Sequence, residues 1–115
     1  MNDKPHLDEE ALAELQEVME DEFDILIRTY LSDSEDRIRT LRNALGNGDA
    51  DAFAKSAHSF KGSCFNIGAP QLGSLCLAAE IAGREGSLVN AEAQLAAIEN
   101  EFQVIREMLQ RSIKS

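Results

Sequence analysis

The stretch from Asp49 to Gly68, DADAFAKSAHSFKGSCFNIG, decides the fold. Phe53, Ala57, Phe60, Cys64 and Ile67 recur in it at alternating steps of four and three, the spacing that gathers apolar side chains on one face of an α-helix. Asp49 is a natural N-cap, and Gly68 a natural C-terminal stop. Within this otherwise regular pattern, His58 and Lys61 stand three residues apart, and Gly62 follows the lysine. A glycine inside a helix costs about 1 kcal/mol in propensity, so something other than stability selected it.

The flanking segments carry the same periodicity. Upstream, Asp8 offers an N-cap with Glu9 and Glu10 in the first turn, and Leu12, Leu15 and Met19 predict a short first helix. Phe23, Ile27, Tyr30, Ile38, Leu41 and Leu45 predict a long second helix over residues 20–45, with a bend expected at Ser32 to Ser34, where short polar side chains compete for the backbone. Downstream, Pro70 suits the first turn of a fourth helix carrying Leu72, Leu75, Cys76, Ala79 and Ala82. Glu80 is the only charge between Ala69 and Gly83, so this helix is expected to be the most enclosed. Ala91, Leu95, Ile98, Phe102, Ile105 and Leu109 predict a fifth helix over residues 90–112, with basic Arg111 and Lys114 at its end. Long amphipathic segments joined by short breaks predict an all-α protein: an antiparallel four-helix bundle with an additional short N-terminal helix. Residues 1–7 are expected to form a tail, with His6 a solvated bystander, and residues 8–115 a single domain.

Composition narrows the function. A net charge of -10 argues against nucleic acid and against anionic membrane surfaces, which are bound through clustered Lys and Arg. No apolar run approaches the roughly 20 residues of a membrane span, and the N-terminus lacks the apolar core of a signal peptide, so a cytoplasmic location is expected. Cys64 and Cys76 lack zinc spacing and read as buried free thiols.

On a helical wheel at about 100° per residue, the apolar stripe centres about 140° from His58, which therefore faces out of the bundle. Lys55 and Lys61 fall about 60° to either side of it, and Gly62 and Phe65 within about 40°. These lysines are the only basic residues between Asn43 and Gly83, and they favour an anion at the histidine. Gly62 removes the side chain that would stand beside the ring and leaves room for a macromolecular partner, while Phe65 extends the same face as a docking patch. A neutral imidazole keeps one nitrogen lone pair and is a competent nucleophile toward phosphorus. Two carboxylates are candidates to orient the other ring nitrogen: Asp51, two turns away, and Glu80, which would have to reach across from the next helix.

The sequence from His58 through Ser59, Lys61, Gly62 and Ser63, followed by Asn66, Gly68, Ala69, Leu72, Cys76 and Glu80, resembles the signature of histidine-containing phosphotransfer (HPt) domains of bacterial phosphorelays. The acidic entry to the second helix at Asp21 to Phe23 and the Gly48-Asp49 start of the third are similar too. The resemblance implies a standalone four-helix bundle. In it, His58 would accept a phosphoryl group from the receiver aspartate of a hybrid sensor kinase and pass it to the receiver of a response regulator. It implies roles for Lys61 in holding phosphoryl oxygens and for Gly62 in clearance, with Lys55, Ser59, Phe65 and Asn66 available to the partner. The bulky Phe65 departs from the small residues usual there. No phosphate loop or Walker lysine is present, so a phosphotransfer intermediate without kinase activity is expected, with no cofactor of its own and magnesium held by the receiver. The partners expected are transient receiver domains, and the chain a monomer.

Two other readings stand beside this one. A metal or haem bundle needs inward ligands such as a Glu-x-x-His pair, but position 55 is lysine and His58 faces outward. A protein-protein adaptor, binding through the Phe65 face with His58 incidental, is the alternative.

Overall fold

The computed structural model describes residues 5–113. Five α-helices follow one another: α1 (Glu9–Met19), α2 (Phe23–Gly46), α3 (Ala50–Ile67), α4 (Pro70–Arg84) and α5 (Ala91–Ser112), with a single 3-10 turn, Glu20–Glu22, between the first two. No strand occurs among the described residues. α2 packs on α3, α3 on α4, α4 on α5 and α5 back on α2, which closes the four-helix bundle, while α1 lies against α2. No helix is long and apolar enough to cross a membrane among the described residues.

The expected caps form. Asp8 and Asp49 accept hydrogen bonds from the backbone N–H groups of Ala11 and Ala52, and Gly68 ends α3 in the left-handed region at φ 87°. Every member of the α3 stripe is buried, as are the six apolar positions read in α5. Phe23, Phe53, Phe60, Ile27, Leu41, Leu72 and Leu95 are among the large side chains that fill the centre. Cys64 and Cys76 are free and buried, and the Tyr30 hydroxyl lies 3.4 Å from Cys64 Sγ.

Three details differ from the expectations. α2 runs unbroken through Ser32, Asp33 and Ser34, and Ser34 is fully buried. α4 is less enclosed than its lack of charge suggests, because Leu77 and Ile81 are exposed. The segment preceding α1 is not a free tail: Leu7 is buried, the Asp8 N–H donates to the Gly68 carbonyl at 2.7 Å, and His6 Nδ1 lies 2.7 Å from Oε2 of the buried Glu101. A lone carboxylate in the interior is costly, and an apparent bystander in the sequence is its partner. The remainder of the expected tail, residues 1–4, and the basic Lys114 lie outside the described residues.

α3 and α4 form the tightest pair, and glycine permits it. A Cβ on Gly83 would fall 2.9 Å from the carbonyl oxygen of Ala50 and from the backbone N and Cβ of Ala54. At the other end of the pair, a Cβ on Gly73 would fall 2.7 Å from the Phe65 ring. Gly83→Ala should therefore destabilise the fold by about 1–3 kcal/mol in urea unfolding, although alanine is the better helix former.

Candidate functional site

α3 carries His58 on its solvent side, and the close approach of α4 brings Glu80 up beneath it. The His58 side chain is 59% exposed and that of Glu80 only 7%. His58 Nδ1 lies 2.8 Å from Glu80 Oε2. An ionised carboxylate only accepts, so Nδ1 carries a proton and donates it, and in the neutral imidazole the lone pair is then on Nε2 of the exposed ring. The sequence left two carboxylates as candidates for this contact. Glu80 makes it, whereas Asp51 pairs with Lys55 at 3.0 Å along their own helix.

Two cations share the Glu80 carboxylate. Lys61 Nζ stands 2.8 Å from Oε1, an ion pair outside good hydrogen-bond geometry. Arg84, one turn along α4, donates to Oε2 from Nε at 3.0 Å and lies 2.9 Å from it through Nη2. The Lys61 ammonium, followed by Arg84 and His58, holds the Glu80 carboxyl down to about 2 against the opposing effect of burial. Glu80 is thus an anion throughout the physiological range, and the His58 nitrogen that faces it, Nδ1, is the one that carries a proton.

The other residues singled out in the sequence surround this centre with different degrees of engagement. Gly62 faces open space, with nothing within 4 Å of where a Cβ would stand. Lys61 reaches Glu80, while Lys55, on the far side of His58, is turned to Asp51. Ser59 accepts a hydrogen bond from Nη1 of Arg37, which crosses from α2. Asn66 is exposed and lines a groove with Leu15, Met19, Leu26, Tyr30 and Ile67. Phe65 is 48% exposed, with its ring over Gly73, so the bulky residue has a seat built for it on α4. Arg84, Arg37 and Gly73 escaped the sequence reading, since each acts on a residue of another helix or through a carboxylate whose position was not known. The one available signal was Glu80 and Arg84 standing four apart in a segment otherwise nearly free of charge.

The sequence model described as the Hpt domain matches residues 25–112. The crystal structure of histidine-containing phosphotransfer protein B (HptB) from Pseudomonas aeruginosa PAO1 superimposes with a TM-score of 0.92 at 45% identity, covering 94% of each chain. No curated protein matches the chain.

The lowered carboxyl gives a pH test. Because Glu80 titrates below the ordinary carboxylate range when folded, its pairing contributes stability fully above that range, and the contribution is lost as pH falls from about 4.5 toward 2. Relative to Glu80→Gln, the wild type should be more stable by on the order of 1–3 kcal/mol at pH 7 in urea unfolding, and this advantage should shrink at pH 3.

Proposed function

The chain belongs to the Hpt domain family and is a histidine phosphotransfer protein of phosphorelays, and we propose that His58 is the residue that carries the phosphoryl group. The hydrogen bond from Nδ1 to Glu80 carries this reading, because it leaves Nε2 as a free nucleophile on an exposed ring. Nε2 attacks the phosphorus of an aspartyl phosphate in a receiver domain. The N–P bond forms as the P–O bond to the aspartate breaks, and that electron pair returns to the aspartate as a carboxylate. No proton has to move. The positive charge that builds on the ring faces the Glu80 carboxylate, whose partners are already in place.

Lys61, one turn from His58, turns from Glu80 toward the phosphoryl oxygens as they arrive and spreads their charge. Return of the phosphoryl group to a second receiver reverses these steps. The donor in this reading is the receiver of a hybrid sensor kinase and the acceptor that of a response regulator. The receiver holds the magnesium; this chain contributes no cofactor and no ATP chemistry of its own. Its encounters are those of a cytoplasmic monomer with successive, transient partners.

The docking surface centres on Gly62, where open space admits the receiver close to the ring. Lys55, Ser59 and Asn66 are exposed around it, and Phe65 has the exposed Leu77 and Ile81 of α4 as apolar neighbours along the same flank. An incidental histidine, as the adaptor reading requires, leaves its buried carboxylate partner and the two cations on it without a purpose.

Incubation with a phosphorylated receiver should move label to the wild-type chain in an acid-labile, base-stable form. His58→Gln should abolish it with helical content unchanged, and label retained in that variant would refute the assignment. Lys61→Ala should slow transfer. Gly62→Ala should stabilise the fold by about 0.5–1 kcal/mol. Gly62→Leu should fold equally well yet lose transfer, and a normal rate in that variant would remove the clearance argument.

A further inference from the structure

The Glu80 carboxylate poses a problem for the nucleophile it orients. A carboxylate within hydrogen-bond distance of an imidazole favours the cationic ring, and a cationic ring has protons on both nitrogens and no lone pair to offer. Glu80 is nearly inaccessible to solvent, so water does little to weaken its pull. Lys61 and Arg84 both sit on this carboxylate, but they differ. Lys61 makes a single ionic contact at Oε1, whereas Arg84 brings two guanidinium nitrogens to Oε2, the oxygen that His58 also uses.

We infer that Arg84 is a positioning residue for phosphotransfer: its guanidinium balances Glu80 so that His58 remains neutral and nucleophilic while Lys61 is free to serve the phosphoryl group. The inference rests on His58 being the phospho-acceptor. With Glu80, Lys61 and Arg84 charged, the group around a neutral His58 carries one net positive charge, and a further proton on the ring meets repulsion. Without the guanidinium the same group is neutral, and the proton is accepted more readily. The need is greatest when Lys61 leaves for the phosphoryl oxygens, since Arg84 is then the one cation remaining on Glu80.

Two further cations on the helices beside the ring have partners of their own. On α3, Lys55 is paired with Asp51, and on α2, Arg37 is held on Ser59. Both pairs lie outside the Glu80 cluster and stay in place when Arg84 is replaced. Arg84 itself is 58% exposed and makes its ion pair within its own helix, so its loss leaves the core untouched.

The chain has two histidines, which makes the ring of His58 directly observable by NMR, with His58→Gln supplying the assignment. In Arg84→Gln the His58 titration midpoint should move upward by on the order of half a pH unit or more, and Arg84→Lys should restore most of the change. Transfer from a phosphorylated receiver, compared with wild type using the same receiver, should lose its acid limb at correspondingly higher pH and recover above pH 8. A rate reduced equally at all pH values, or an unmoved midpoint, would overturn the inference. Label appearing on His58→Gln would instead overturn the acceptor assignment, so the two failures are distinct.

Discussion

The close approach of α3 and α4 is the constraint on which the rest depends. Two helices can pack this tightly only where one of them presents almost no side chain, and Gly83 meets the backbone around Ala50 and Ala54 with no room for a methyl group. The approach places Glu80 within hydrogen-bond reach of a histidine on the outer side of the neighbouring helix. Had α4 stood a further side chain away, His58 would be a surface imidazole with no carboxylate to hold the proton on Nδ1. The Gly83 contact, which reads as mere packing, therefore sets the chemistry of a residue one turn beyond Ala54.

A buried carboxylate is tolerated only when it is paired, and Glu80 is paired three times over. Each partner has a second use. In the proposed function the imidazole is the nucleophile, the ammonium moves to the arriving phosphoryl group, and the guanidinium holds the charge balance. The same economy appears on α5, where Glu101 is buried and His6 closes over it, so a segment that composition marks as a tail is part of the domain. In both places a histidine stands on a buried glutamate, and among the described residues only the glutamate beneath His58 has cations sharing the carboxylate.

Phe65 shows how one residue can look misplaced until its neighbour is known. On the helical wheel it is a large apolar group facing solvent beside the histidine, which suggests a docking patch and little else. In the fold its ring rests over Gly73, half covered. The residue is thus both a packing element between α3 and α4 and a part of the outer face, and its bulk is matched by the missing side chain opposite.

What the sequence determined by itself was everything that follows from periodicity along one helix. The apolar stripes located the helices, Asp49 and Gly68 bounded α3, and the angle between His58 and its stripe placed the ring outside the bundle, because a regular helix fixes the direction of every side chain relative to its neighbours in the chain. Contacts between helices were decided only by the tertiary structure. That Glu80 rather than Asp51 meets His58, that Arg37 reaches Ser59 and that His6 covers Glu101 all depend on the offset and separation of two elements. Periodicity gives the direction in which a side chain leaves its own helix but not how far another helix lies in that direction, and a hydrogen bond is made or lost within a fraction of an ångström.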